Sequence, residues 1–573
     1  MLYLLSQLTL SPHQVQTGRV ATNFHLYKFY FARLRCRRTR RFAWRFFGVC
    51  YNPCTAQMPK EGISVARQQE EDLLELATVD GQKPLIVIAS NRGPYAFKYS
   101  KDGSFSSTRG SGGLVTALGA LAERHEVLWV ASALSKDDRK WAEAQGDKPQ
   151  DVEGVSLRLA VPAPKRYDQY YNEIANPLLW FVQHQLWDIP RTPSIGRDTW
   201  KAWHNGYVAI NKLFAETIAD SVRGEDRPVF IFPQDYHLYL VPHFLREILG
   251  YSVQIQPFIH IPWPGPDAWR ILPQEMRLAI FSSLLSADRV GFQTKTDAFN
   301  FVQCCRIFVP DAHSHGSRES VTYQDRKVGA CAYPISIDVE KLENIVEEPQ
   351  TRLLKGQLIN LIGDRKLILR VDRVEPSKNI LRGLQAYRAL LENHPKHRGK
   401  VQMLALLVPS RMEVFEYQDY LQQIMAAAGM INAEYSDEYW EPARIWVGEN
   451  YYRAMAALQL YDVLLVNPIA DGMNLVAKEG ALVNQRDGVL LLSEQAGAYH
   501  ELGDHALVVS PFDIHSTAEA MHEALEMSAD VRHTRAEALR KQVRQAGIKT
   551  WFYDQVADAL TAFNSQSKKD STS

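Results

Sequence analysis

Charge of one sign is missing as a surplus: 65 Lys and Arg stand against 65 Asp and Glu in 573 residues, a formal net charge of zero. Without a basic excess the chain has no global attraction for nucleic acid or an acidic membrane, so any anion must be met by a local site. Cysteine is scarce, six in all, at 36, 50, 54, 304, 305 and 331, and suggests no pairing scheme. Cys50 and Cys54 lack a partner pair at zinc-finger spacing, and the adjacent Cys304 and Cys305 read as buried helix packing, which fits a reducing cytoplasm. No apolar run reaches the roughly 18 residues of a membrane-spanning helix, so a soluble protein is expected. Low complexity is confined to the tail Ser565–Ser573, expected to be disordered, and no internal repeat is visible.

The charge balance fails in one place. Residues 1–57 hold eight Arg (19, 33, 35, 37, 38, 40, 41 and 45) and Lys28 but no Asp or Glu. A targeting peptide, an arm adhering to membrane or RNA, and sequence upstream of the true start all fit. The abrupt end of the bias at Met58-Pro59-Lys60-Glu61 favours Met58 as initiator. Residues 1–83 are therefore set apart as a basic extension, disordered or upstream of the start.

The remaining length exceeds the roughly 250–300 residues that one core sustains, so two domains are expected. Short apolar strands alternate with longer helical stretches. In the first half the strands are Leu85–Ala89, Val127–Ala131, Arg227–Phe232, Val253–Ile259 and Val290–Gln293, with helices at Gly113–Glu123 and Leu238–Leu249. After Pro334 the series restarts, with Lys366–Val371, Val401–Val408, Val463–Val466, Val489–Leu492 and Ala506–Val509. Such alternation gives parallel sheets covered on both faces. The expectation is α/β: two doubly wound, Rossmann-like domains, 84–335 and 336–545, facing across a cleft, with a helix 546–564 crossing back to the first. Ligands in such sheets lie at the carboxyl ends of the strands.

Unusual residues gather at those ends. Asn467-Pro468-Ile469-Ala470-Asp471-Gly472-Met473-Asn474-Leu475 follows a buried strand and opens a helix expected to begin near Met473, whose first N–H groups have no intrahelical partner and suit an oxyanion. Asp471 could be a plain N-cap, which leaves Glu479 unexplained; eight helical residues apart, the two would lie about 80° round the axis. Arg373 and Lys378, five residues apart around Pro376, can converge on a diphosphate, or else form a solvated basic loop paired with Glu375. Arg411 is a third cation, at the end of the next strand. In the first half, Arg109-Gly110-Ser111-Gly112-Gly113 is a glycine-rich turn suited to phosphate but lacks a P-loop ending and the dinucleotide spacing. His237 beside Asp235, and His260 before Pro262, sit at neighbouring strand ends. They are loop caps or sugar contacts, and no third ligand follows at metal-binding spacing.

Taken together and in order, PQDYHLYLVPHFLRE, HIPWP, VDRVEPSKNI, VPSRMEVFEYQDYL and NPIADGMNLVAKEG resemble the trehalose-6-phosphate synthase family, retaining glycosyltransferases of family 20 with the GT-B fold, from about Pro84 to Leu560. The resemblance implies transfer of glucose from a nucleotide diphosphate glucose to glucose 6-phosphate, with no cofactor and no metal. It would place the diphosphate between Arg373, Lys378 and the helix mouth at Met473, Asn474 and Leu475, with Gly113 above. Glu479 would hold the ribose, Asp471 and His260 the donor sugar, and Arg92, Asp235, His237 and Arg411 the acceptor.

Departures fall on the acceptor side. Where the family has Trp-x-Gly-Trp this chain has Trp129-Val130-Ala131-Ser132; the family's Trp-Pro-x-Phe-His-Tyr is Trp180-Phe181-Val182-Gln183-His184-Gln185; and its His-Asp-Tyr-His is Gln234-Asp235-Tyr236-His237. Synthesis of glucosylglycerol phosphate or a pseudodisaccharide phosphate stays open, as does a non-catalytic sugar-phosphate-binding homologue, against which the joint presence of Arg373, Lys378, Asp471 and Glu479 speaks. Partners are small molecules, with no nucleic acid or membrane, a possible homo-oligomer, and a separate phosphatase acting downstream in the cytoplasm.

Overall fold

The computed structural model describes residues 82–110, 126–146 and 148–570. Cys36, Cys50, Cys54 and Met58, the expected helix Gly113–Glu123 with its candidate Gly113, and residues 571–573 lie outside them.

The first domain is built on β1 (Leu85–Ser90), whose six residues are all buried, as expected of a strand covered on both faces. Its side chains alternate between two cores: Ile86 and Ile88 face one, Leu85, Val87 and Ala89 the other. A hairpin of β2 (Tyr95–Tyr99) and β3 (Phe105–Arg109) follows. β4 (Val127–Ser132), β5 (Gln150–Val152), β6 (Val155–Ala160), β7 (Val229–Pro233) and β8 (Val253–Ile255) complete a six-stranded sheet in the order β5-β6-β4-β1-β7-β8. All its pairs are parallel except β5 with β6.

Here the expected strand Val253–Ile259 is corrected. Pro257 has no N–H to give a ladder, and the segment divides: β8 stays in the first sheet, while β9 (Phe258–Ile259) joins a second, four-stranded one. That sheet holds β10 (Arg289–Phe292), β11 (Ser320–Tyr323) and β12 (Arg326–Ala332) in the order β11-β12-β10-β9. The division lets the Pro257 carbonyl accept from Gly291 N–H while Gln256 N–H bonds Ile231. The result is that Asp235 and His260 end up side by side.

The second domain is a six-stranded, all-parallel sheet of β13 (Lys366–Arg373), β14 (Val401–Val408), β15 (Ala443–Val447), β16 (Val463–Val466), β17 (Val489–Ser493) and β18 (Leu507–Val509). Its order, β15-β14-β13-β16-β17-β18, reverses direction between β13 and β16. A crevice opens at such a reversal, and the loops after β13 and β16 flank it.

One apolar core runs through both domains, from Ile86 and Trp129 through Tyr333, Ile335 and Ile337 to Leu367 and Leu464. The helix Ile548–Asp570 seals it from outside: Phe552 packs on Phe232 and Trp551 edge-on to Phe258, and Asp558 accepts from the Tyr333 hydroxyl at 2.6 Å and pairs with Arg289. This helix continues past Ser565, where the sequence suggests a polar tail. The connecting segment is held by Lys478, a fully buried cation whose Nζ donates to the Ile335 carbonyl (2.9 Å) and to Glu501 (2.8 Å). Cys304 and Cys305 are free thiols buried in the helix Lys295–Phe308. Among the described residues no helix is long and apolar enough to cross a membrane.

Candidate active site

Strand β13 and the loop after it carry two buried charges, Arg370 and Glu375. Arg370 points into the protein with no exposed surface, bonds Asp372 (2.9 Å) and donates to the Lys378 carbonyl (2.9 Å), fixing the turn Pro376–Lys378. Asn379, in left-handed backbone at φ 58°, caps this turn and donates to the carbonyls of Asn467 and Pro511. The turn therefore delivers Lys378 into the crevice, where its Nζ meets the Asp471 carboxylate at 2.5 Å.

Asp471 belongs to extended backbone bridged to Ala496. The helix begins later than expected, as Leu475–Val483, and its N-cap is Asn474 at φ 77°, whose side chain accepts from Ala477 N–H (3.1 Å). Hence the angular relation between Asp471 and Glu479 along one helix does not hold, and Asp471 is no N-cap. Instead Asn474 does two jobs, since its amide also donates to Asp471 (3.0 Å). Met473 is buried and Leu475 opens the helix, so the first free N–H groups of the helix sit beside the Lys378–Asp471 pair. Gly472 has a steric reason: a Cβ there would stand 1.8 Å from the His260 carbonyl oxygen. The second-domain loop thus abuts the first-domain loop backbone to backbone.

Glu375, also read as a surface partner, is entirely buried and forms a hub. It accepts from Arg411 (2.7 Å) and Ser410 (3.0 Å), with Arg373 at 3.3 Å. Burial alone would raise this carboxyl, but Arg373, Arg411 and Lys378 around it bring it down to about 2. The loop is therefore not a solvated basic one. Arg373 keeps about half its side chain exposed toward the crevice, 51%, whereas Arg411 keeps 9%. Arg411 stands in left-handed backbone at φ 48°, stacks its guanidinium on Trp180 (4.1 Å), and donates to the hydroxyls of Tyr417 (3.0 Å) and Tyr236 (3.2 Å). Tyr236 and Trp180 are first-domain residues, so Arg411 is a bridge across the cleft.

On the first-domain side, Asp235 also has a positive φ, 69°, and accepts from the His260 N–H (3.1 Å). Burial pushes its carboxyl up to about 6. The His260 ring sits between Gln234 (Nε2, 2.9 Å) and Gln293 (Nδ1, 3.3 Å), and burial holds it down at about 3, neutral at pH 7. His237 is neutral for the same reason, and its buried Nε2 has no hydrogen-bond partner. Tyr171 stacks on it (5.8 Å, 11°) and Tyr167 on Tyr171 (5.6 Å, 13°), a ladder of rings from the helical stretch Pro164–Leu179. Sequence reasoning passed over these tyrosines, although their four-residue spacing on one helix face was the available signal. Arg92 is exposed, and Ser132 is buried with its hydroxyl donating to Asn91 (3.4 Å).

Direct contacts thus make three groups, Lys378 with Asp471 and Asn474, Arg373 and Arg411 through Glu375, and Asp235 with His260, and the approach of Gly472 to the His260 carbonyl brings the first and third side by side. Glu479 stands apart on its helix, near Tyr451. Burial pushes its carboxyl up to about 7, with no cation opposing it.

The Glycosyltransferase family 20 profile matches residues 84–561. The α,α-trehalose-phosphate synthase [UDP-forming] of Botryotinia fuckeliana is 32% identical over 514 residues, 87% of this chain and 93% of that one. A solved structure from E. coli with UDP-2-fluoro glucose bound matches with a TM-score of 0.71 at 28% identity, covering 83% of this chain and 98% of that one. The α,α-trehalose-phosphate synthase (UDP-forming) of Burkholderia xenovorans, in complex with glucose-6-phosphate, matches with a TM-score of 0.71 at 26% identity, covering 83% and 100%.

Proposed function

Since the chain belongs to glycosyltransferase family 20, we propose that it transfers glucose from UDP-glucose to glucose 6-phosphate with retention, releasing UDP and α,α-trehalose 6-phosphate. The observation that carries this reading is the Lys378–Asp471 pair beside the mouth of the helix Leu475–Val483, with Arg373, half exposed and 3.3 Å from Glu375, in the same loop as Lys378. In the reaction the C1–O bond to the diphosphate breaks and C1 bonds the acceptor oxygen on the face the diphosphate leaves. The acceptor's hydroxyl proton goes to the departing diphosphate oxygen. Arg373 and Lys378 stabilise the charge that develops there, an effect worth about 3–4 kcal/mol for one well-placed donor. Two fixed cations make a metal unnecessary in this scheme, and activity in excess chelator tests that point.

The remaining roles are those the family resemblance implies. Backbone donors at Met473, Asn474 and Leu475 receive the diphosphate, with Gly113 assigned to the same group. Asp471, released from Lys378 as the diphosphate takes over that cation, and the neutral His260 hydrogen-bond the glucosyl hydroxyls. Glu479, held without a cation, accepts from the ribose hydroxyls. Arg411, Asp235, His237 and Arg92 form the acceptor wall, with Arg92 and Arg411 suited to a phosphate. The product then passes to a phosphatase in the cytoplasm.

A screen of UDP-, ADP- and GDP-glucose against glucose 6-phosphate, glycerol 3-phosphate and cyclitol phosphates tests the reading. UDP release stimulated by glucose 6-phosphate is expected. Release stimulated only by another phosphate would reassign the acceptor, which Ser132 and Gln185 make the alternative to examine. No release with any pair would overturn the enzyme reading.

A further inference from the structure

Far from the cleft, three residues place metal-ligating atoms around one point. His522 and Glu526 lie four residues apart on the helix Ile514–Glu526 and so share a face. His397 ends the turn Pro395–His397 packed against it. The three ligand atoms all fall within 4.8 Å of one another, and His397 Nε2 meets His522 Nδ1 at 2.9 Å. Two ring nitrogens facing each other in this way share one proton, leaving at least one lone pair directed at the gap.

We propose that His397, His522 and Glu526 bind a single divalent transition-metal ion of the zinc class. Two imidazoles and a carboxylate are a zinc donor set that leaves a fourth position for water. Tetrahedral ligands at about 2.0–2.1 Å stand roughly 3.4 Å apart, so closing the site needs ligand-atom shifts of about an ångström from their separations of up to 4.8 Å. His394 stacks on His522 at 3.8 Å and itself bonds Glu519 (2.9 Å), which fixes the plane of the His522 ring. Access is open, because His397 and Glu526 line a surface depression of about 590 Å³.

Positive charge opposes the ion: Lys396 Nζ pairs with Glu526 at 2.8 Å and competes for its carboxylate, and Arg365, Lys366 and Lys400 line the same depression. The site also lies at the amino end of β14, whose eight residues span roughly 26 Å to the cleft. The ion would join the helix Ile514–Glu526 to the turn before β14, and its role is to hold that end of the sheet, apart from the transfer reaction.

The test is calorimetric titration of the chelator-treated full chain with zinc chloride, with turnover measured alongside. Because three cysteines outside the described residues could also take zinc, the readout is the difference from variants. Wild type is expected to bind one equivalent more than His522→Ala. Glu526→Gln, an exposed change that spares the fold, should weaken that equivalent about tenfold or more, and Lys396→Met should tighten it. Turnover without added metal should be the same in all four. Equal stoichiometry and affinity in wild type, His522→Ala and Glu526→Gln would overturn the proposal.

Discussion

On the second-domain wall of the cleft the charges in the loops after β13, β14 and β16 are paired: Lys378 holds Asp471, and Glu375 gathers Arg373 and Arg411. Among the described residues the first-domain wall is organised without ion pairs of its own. His260 and His237 are neutral, Asp235 is pushed up to about 6, and rings of Tyr167, Tyr171 and His237 form a stacked face. The difference follows the ligands proposed for each. A leaving diphosphate brings two or more negative charges, and cations that are already fixed need little reorganisation when it forms. A sugar brings hydroxyls and an apolar ring face, which neutral donors and aromatic surfaces receive with little desolvation.

Removing Arg373 attacks this contrast most directly. Arg373→Ala should lower kcat by about 10²–10³-fold, the scale of losing one charge-stabilising donor, with little change in Tm, because the side chain is half exposed and makes one ion pair at 3.3 Å. A large fall in Tm with turnover retained would make the residue structural. Arg411→Met goes the other way. It leaves the buried Glu375 carboxylate short of a partner and removes the bridge to Tyr236, so denaturant unfolding should show a loss of about 3 kcal/mol together with a weaker acceptor KM.

Two carboxylates sharpen the comparison through pH. Glu479 is raised from its ordinary value near 4.5 to about 7, so the folded chain binds the proton more tightly than the unfolded one. Its contribution is full below pH 4.5 and is lost as pH rises through 7. Glu479→Gln removes that loss and should be more stable than wild type at pH 8, by about 2 kcal/mol for a partly exposed group, and equal at pH 4. Glu375, lowered to about 2, has the opposite sign: its contribution is present above 4.5 and fades as pH falls toward 2. Urea midpoints across pH 3–9 would show both slopes, and a Glu479→Gln profile parallel to wild type would refute the first. The smallest effect is expected from Tyr171→Leu, which should raise the glucose 6-phosphate KM by about threefold to tenfold through lost ring contact and leave the UDP-glucose KM alone.

The strands that carry the crevice were legible because they are uninterrupted apolar runs; Val401–Val408 and Val463–Val466 match the observed bounds of β14 and β16. Partly exposed strands were not. β15, Ala443-Arg444-Ile445-Trp446-Val447, is a half-exposed edge whose apolar run Arg444 interrupts, and β2 with β3, β5 with β6 and β11 with β12 pair as antiparallel hairpins with exposed or half-buried positions. In the site, Lys378 and Asp471 were legible as residues, but their pairing was not, since 93 positions separate them. Glu375 misled for a physical reason: a charged residue is rarely found fully buried, and only the three-dimensional arrangement reveals the partners that permit it.

The contact between Gly472 and the His260 carbonyl sets a rule for redesign. With no space there for even a methyl group, the two loops that flank the transfer point form one mechanical unit, and neither can be resculpted without displacing the other. An engineer seeking a new acceptor would leave that junction intact and work at the periphery, around the exposed Gln185, where a side chain can be exchanged without forcing the halves apart.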